Sequence, residues 1–218
     1  MAKDDPSSSK GLSRSWAILG VVYAVFFYWY TSFGGPLSDE EIAHYTKVLA
    51  SNPEMSEHSE RWISFMKSDT GDDWAMWNAV DLFDTPKLVE GVEPGDTTEE
   101  VVNRYAEPFF AKALRRAAHP VMGGTAANTA LDIWGIDGGE NWDSGLLVRY
   151  RSRRDIMEII EEMATSDEEI HAFKVAAVQK TIAFPIDPWF HPGDPRLLLA
   201  MTLIPLGLAS QLRHNARA

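Results

Sequence analysis

The chain has no cysteine. That excludes disulfide bonds, thiolate metal sites and cysteine nucleophiles. It is also short of positive charge, with 20 Lys and Arg against 32 Asp and Glu. Residues 39–194 hold 30 acids and 14 Lys or Arg, a net charge of −16. A field of that sign repels phosphate backbones, so nucleic acid is not expected as a partner. Catalytic signatures are missing too. There is no P-loop, no HExxH, no G-x-S-x-G and no dinucleotide fingerprint after a strand. No motif fixes a reaction, the enzyme question stays open, and neither a cofactor nor a metal is implied.

Long uncharged apolar runs occur only at the two ends. The first, 15–33, spans roughly 28 Å at about 1.5 Å per residue, close to a hydrocarbon core of about 30 Å. It carries Tyr28, Trp29 and Tyr30 near its end, residues suited to the headgroup boundary. A cleaved signal peptide would be shorter and end in an A-x-A pattern, whereas Gly34, Gly35 and Pro36 follow here. The second run, 197–212, covers about 24 Å and is interrupted by Pro205 and Gly207. Spanning is expected; a core helix and a helix lying in the interface are the alternatives. Trp189 and Phe190 flank it on one side, Arg213 and Arg217 on the other. Lys3, Lys10 and Arg14 precede the first run. The positive-inside bias then puts both tails in the cytoplasm and the acidic domain outside the inner (plasma) membrane, in the periplasm of a Gram-negative cell.

The expected organisation is a polar tail over 1–14, a transmembrane helix over 15–33, a helical extension over 34–73, a domain over 74–188, a second transmembrane helix over 197–212 and a cytoplasmic tail over 213–218. Ser38 and Glu41 form a capping-box start to a helix carrying Ile42, Tyr45 and Leu49. A second helix covers about 55–67, with Trp62, Phe65 and Met66 on its apolar side. Strand 74–83 follows. Thr97 to Glu100 opens a helix reaching Ala118, stopped by Pro120. Strands are expected at 127–136, 145–151 and 181–186, with a long helix from Arg153 to about Lys180, broken near 165–167. Pro185 suits a strand end or edge.

From 74 onward the order is β-α-β-β-α-β, so the fold class is α+β, a ferredoxin-like domain flanked by the two transmembrane helices. Met76, Val80 and Leu82 on one face of the first strand oppose Trp77 and Phe83. A sheet apolar on both faces needs two covers. Helices supply one, and a second copy of the sheet is the simplest other, which predicts a homodimer.

The segment from His119 to Ile186 resembles the dimeric α/β-barrel superfamily, in particular its DUF1330-like branch. The likeness rests on Gly123-Gly124, Trp142-Asp143, the run Leu146 to Arg153, and Lys174 to Thr181 leading into the last strand. It covers about half the chain. Members of that superfamily include monooxygenases, isomerases, haem peroxidases, chlorite dismutases and ligand sensors, so the likeness implies a fold and not a reaction. Gly135-Ile136-Asp137-Gly138 resembles the GxxDG motif of dye-decolourising peroxidases but is one residue short, and a turn accounts for it better.

Five residues are candidates for a pocket: His119, Asp132, Trp134, Arg149 and Tyr150. His119 ends a helix, where a cation suits the dipole without any function, or it serves as a base. Arg149 and Tyr150 lie on one strand and Asp132 and Trp134 on the expected neighbour. Together they could hold a polar head and a ring; the plainer account is an Arg–Asp pair closing the sheet. His191 with Asp187 and Asp194 is either loop polarity or a divalent-ion site. Arg151, Arg153 and Arg154 read as a solvated helix start, or as a contact for an acidic partner. Two functions follow. One is an accessory or scaffold subunit that docks on a larger membrane complex. The other is an enzyme or binding protein for an apolar small molecule, held between sheet and helices.

Overall fold

The computed structural model describes residues 13–51, 53–165, 170–189 and 191–217. They form two compact units, one of residues 13–30 with 191–217 and one within Thr31–Trp189.

The first unit is a pair of helices, α1 (Arg14–Tyr30) and α8 (Pro195–Arg217). Their packing is antiparallel. Near one end the Ser13 amide donates to Gln211 Oε1 at 2.8 Å, and the Ser210 and Ser15 hydroxyls meet at 2.7 Å. Gly207 lies under the Trp16 indole, so close that a Cβ would sit 2.6 Å from the ring. At the other end the Arg196 guanidinium lies 5.3 Å from the centre of the Tyr30 ring. Tyr30 is 2% exposed, so it is not available to headgroups as expected, whereas Tyr28 is open. Among the described residues one helix, Pro195–Ala216, is long and apolar enough to cross a membrane by length and composition. The N-terminal helix has 17 residues and stops at Tyr30 rather than at Phe33, short of the about 20 residues of a perpendicular span.

The second unit begins with α2 (Asp39–Ser51), α3 (Pro53–Ser56) and α4 (Ser59–Lys67). The capping box that opens α2 is made in full: the Ser38 amide donates to Glu41 and the Glu41 amide to the Ser38 hydroxyl. Then come β1 (Trp74–Leu82), α5 (Thr98–Arg115), β2 (His119–Thr125), β3 (Ser144–Tyr150), α6 (Arg153–Ala164), α7 (Ile170–Ala177) and β4 (Val178–Ile186). The sheet is four-stranded and antiparallel, in the order β2-β3-β1-β4, with the expected β-α-β-β-α-β connectivity.

The second strand is not where the alternation of 127–136 placed it. It is His119–Thr125, a segment rich in proline and glycine. Two facts make such a strand workable. It lies at the sheet edge, where Pro120 has no central ladder bond to spoil. And at Gly123 a Cβ would lie 2.7 Å from Leu146 Cδ1, so a larger residue there would have to displace the Leu146 side chain. Residues 126–143 form a long loop instead, with Leu131 93% and Trp134 85% exposed. The preceding helix also stops early, at Arg115. Ala117 turns into the left-handed region (φ 54°), and the Ala118 amide returns to the Ala113 carbonyl at 3.0 Å, closing the helix end. The last strand starts earlier than expected, at Val178, and the break between α6 and α7 falls where Ser166 and Asp167 lie outside the described residues.

One face of the sheet packs on helices. Trp74, Val148 and Tyr150 join Ile156, Met157 and Ile159 of α6 and Leu37, Tyr45, Leu49 and Met66 of the extension in one core. Of the three arginines around the start of α6, Arg153 and Arg154 tie this extension down and Arg151 folds back on α6 itself, so they are not a solvated face. Arg154 binds Glu41 at 2.5 Å and 3.0 Å. Arg153, 7% exposed, reaches the Phe65 carbonyl and the Ser68 hydroxyl and lies 3.6 Å from Asp69. Arg151 pairs with Asp155.

The other sheet face is buried at one end, where Ala75 and Arg149 sit, and beyond them carries a partly exposed apolar row. Phe184, Trp77, Leu147 and Met122 follow one another in register across β4, β1, β3 and β2. Phe184 is 45% and Met122 62% exposed.

Candidate ligand cavity between two helices and the sheet edge

Two helices present the same period to one strand pair. His58, Arg61, Trp62 and Phe65 follow at helical spacing along and just before α4. His171, Lys174, Val175 and Val178 do so along and just after α7. Facing them is the helix side of the sheet edge: Met76 of β1 with Thr181, Ala183 and Pro185 of β4, alternate residues that share a face. These side chains, with Met55, line a half-open cavity of about 780 Å³. That is the size of a site for a small organic molecule, which typically runs to roughly 300–1,000 Å³.

An aromatic series leads from its wall into the core. Trp62 meets Phe65 edge-on at 5.9 Å, Phe65 meets Trp74 at 4.8 Å, and Trp74 stacks on Tyr150 at 4.7 Å. The polar groups sit on the helices. Arg61 and His58 are exposed, and Arg61 enters no ion pair among the described residues. The Lys174 ammonium lies 5.4 Å from the centre of the Tyr105 ring, which also meets His171 edge-on at 6.0 Å. Burial pushes the Tyr105 hydroxyl up to about 12, so it is a neutral group at any physiological pH. Lys180 contributes its stem only, since its ammonium turns to Asp81 at 3.5 Å and to the Gly138 carbonyl.

The five residues expected to form a pocket are not brought together. Arg149 and Tyr150 point to opposite faces of β3. Arg149, 1% exposed, donates from Nε and Nη2 to Asp73 at 3.1 Å and 3.0 Å and from Nη1 to the Ala117 carbonyl at 3.0 Å. This is an Arg–Asp pair closing the sheet, with Asp73 in the place expected for Asp132. Tyr150 is core, and burial pushes its hydroxyl well above the usual phenol range. His119 starts β2, opposite Arg149, with Nδ1 2.9 Å from the Pro120 carbonyl. Asp132 and Trp134 sit in the exposed loop and bond to each other at 2.7 Å. Of the expected interface residues, Trp29 and Trp189 are exposed, and Phe190 lies outside the described residues. Asp194 is held by Arg196 through both carboxylate oxygens. Among the described residues no group of three His, Asp or Glu is placed to hold a metal ion.

No protein-family model matches the chain, and no curated protein matches it in sequence. Three solved structures superpose on it. Among them are two of the RPA0582 protein of Rhodopseudomonas palustris, a protein of unknown function. One, of the methylated protein, is 22% identical, with a TM-score of 0.47, covering 62% of this chain and 93% of that one. The other is 19% identical, with a TM-score of 0.47, covering 61% and 94%. A dimeric protein of unknown function and ferredoxin-like fold from Bacteroides fragilis is 15% identical, with a TM-score of 0.28, covering 53% and 96%. Likenesses of this degree assign neither a family nor an activity to the present chain.

Proposed function

We propose that the chain is a membrane-tethered, dimer-forming protein that binds an apolar small molecule in the cavity between α4, α7 and the β1–β4 edge. The observation that carries this is the cavity itself: about 780 Å³, with an aromatic wall and a few polar groups on its helices. In this reading α1 and α8 are the tether. Their antiparallel packing supports it, as do the exposed Ile18, Val21 and Val25 on one helix and Met201, Ile204 and Leu208 on the other. At about 1.5 Å per residue, α1 covers about 26 Å, which a tilted or locally thinned bilayer accommodates. The positive-inside bias of Lys3, Lys10, Arg14, Arg213 and Arg217 supports a reading with both tails in the cytoplasm and the acidic unit outside the inner membrane. The partly exposed row Phe184, Trp77, Leu147 and Met122 is read as the dimer face of a ferredoxin-like domain of the dimeric α/β-barrel kind.

The test is native mass spectrometry of the full-length chain extracted from its own membranes in gentle detergent. A dimer carrying an extra small mass, absent from Ala183→Trp, supports the reading. Ala183 lines the cavity on an exposed edge strand, so a large ring there fills the space without breaking the core. A bare protein with no bound mass, identical in the variant, counts against it.

The accessory-subunit reading has its own observation. The 126–143 loop exposes Leu131, Trp134 and Ile136 together, a patch suited to a protein partner. The same extraction discriminates, since recovery within a larger assembly at fixed stoichiometry would favour it.

A further inference from the structure

From the open strand edge along the cavity we infer that its ligand is a flat ring compound whose rim carries a hydrogen-bond donor beside an acceptor, as a lactam does. This rests on the binding reading above and adds the class of ligand. β4 stands last in the order β2-β3-β1-β4 and pairs with β1 alone. Its outer row of peptide groups therefore has no strand beside it. The cavity runs along that strand: Val178, Gln179, Lys180, Thr181, Ala183 and Pro185 all line it. The first three are consecutive, so the cavity follows the rim of the strand and does not lie on one face only.

The prolines show which peptide groups face outward. A residue in an antiparallel strand sends its N–H and C=O to one side, and the next residue sends its own to the other. Pro185 has no N–H to give β1, and a proline in a sheet turns its nitrogen to the open side. Met76, opposite Pro185, is also opposite Val148 of β3, and Val148 is opposite Pro120 of the other edge. Met76 and Val148 therefore bond to each other, and both prolines face out. Counting back from Pro185 by twos, with no shift of register between them, Ala183 and Thr181 also direct N–H and C=O to the open side. Among the described residues no other segment bonds to the backbone there. The Thr181 carbonyl and the Ala183 amide thus stand side by side along the cavity as one acceptor and one donor. A flat rim with the complementary pair can take both at once, as an added strand would. Recognition by peptide groups needs no charge on the guest, in keeping with a wall of Met55, Trp62, Phe65 and Met76.

The test uses the full-length chain in phosphatidylcholine nanodiscs, with 2-quinolone and N-methyl-2-quinolone as probes, followed by equilibrium dialysis. The second probe keeps the rings and the carbonyl and lacks the donor. Empty nanodiscs give the lipid background for each. Saturable binding of 2-quinolone is expected, about tenfold tighter than that of the N-methyl compound, the loss of one hydrogen bond. Ala183→Pro removes the outward N–H and spares the ladder to β1, whereas Ala183→Val adds a side chain of similar size and keeps that N–H. 2-Quinolone should bind Ala183→Pro about tenfold more weakly than Ala183→Val. Should Ala183→Pro fail to fold, the probe pair on the parent decides. Equal binding of the two probes to the parent, lost in Ala183→Trp, overturns the edge inference and leaves the cavity reading standing; so does equal binding of 2-quinolone to folded Ala183→Pro and Ala183→Val. Binding of neither probe above the lipid background removes the cavity reading as well.

Discussion

The Arg149–Asp73 pair makes a sharp prediction because its two halves are buried to different degrees. The Arg149 side chain is 2% exposed and that of Asp73 29%. Removing the carboxylate in Asp73→Ala takes the counter-charge from a guanidinium that water cannot reach, although it keeps the Ala117 carbonyl. Breaking a buried pair in that sense costs about 3–5 kcal/mol. Removing the cation in Arg149→Met is milder. The Asp73 carboxylate rehydrates through its exposed side, and Met replaces the aliphatic stem. What is left uncompensated is the Ala117 carbonyl, which accepts from Arg149 at 3.0 Å, a loss of about 1–3 kcal/mol. The Asp73 variant should therefore be the less stable by 1 kcal/mol or more. With a urea slope of about 2 kcal/mol per molar, its midpoint falls by about 2 M and that of Arg149→Met by about 1 M. The assay is urea unfolding of the full-length chain in dodecyl maltoside, read by tryptophan fluorescence; Trp74 stacks on Tyr150 and reports loss of the core. Equal midpoints, or a lower one for Arg149→Met, would refute the idea that desolvation of the cation sets the cost.

Two further predictions address other parts of the chain. With no native cysteine to interfere, Ser15→Cys with Ser210→Cys should form a disulfide under mild oxidation, because the hydroxyls lie 2.7 Å apart; adding Gly207→Leu should suppress it by driving Trp16 away. The hydrogen bonds from Arg154 hold the Glu41 carboxyl down from its ordinary 4.5 to about 2. A lowered folded-state value contributes stability that is present above about pH 4.5 and lost as pH falls toward 2. The pair is partly exposed, at 21% and 34%, so the contribution is about 1 kcal/mol. Parent and Glu41→Gln should differ by that amount in urea unfolding at pH 6 and converge near pH 2; a constant difference across that range would refute the assignment.

Local chemistry was the legible part of this sequence. Ser38 with Glu41 and Thr97 with Glu100 announce helix starts by side chains that reach three residues along, and both boxes are formed. Strands 74–82 and 144–150 could be seen because their apolar runs are central in the sheet. The edge strand His119–Thr125 could not be seen, since an edge tolerates the proline and glycines that ordinarily speak against a strand. The alternation at 127–136 misled for the opposite reason: Leu131 and Trp134 look like core residues but face solvent. The error carried the candidate pocket with it, placing Asp132 opposite Arg149 where Asp73 stands. The cavity left a trace, in the matching stripes from His58 to Phe65 and from His171 to Val178. What no periodicity reveals is that two helices so distant in sequence face the same strand. Nor did the arginines of α6 look structural, because their acids lie in the extension, far away along the chain.

The alternation of β4 also decides whether the two proposed surfaces interfere. Thr181, Ala183 and Pro185 line the cavity, while Ile182 and Phe184 lie on the other face, and adjacent residues of a strand point to opposite sides. A dimer built on the row from Phe184 to Met122 would leave the cavity open, and a ligand in the cavity would not touch that row. Phe184→Lys places a charge in the proposed dimer face, where burial without a partner is costly, and should give a monomer in mild detergent. Because Phe184 is 45% exposed in the single chain, the fold should survive the change. The extra small mass carried by that monomer should equal that carried by each subunit of the parent. Conversely, Ala183→Trp should abolish binding and remain a dimer. The paired measurement is native mass and melting temperature on both variants. Loss of binding with the dimer, at an unchanged melting temperature, would mean that the site needs both copies and that the two faces of β4 are coupled.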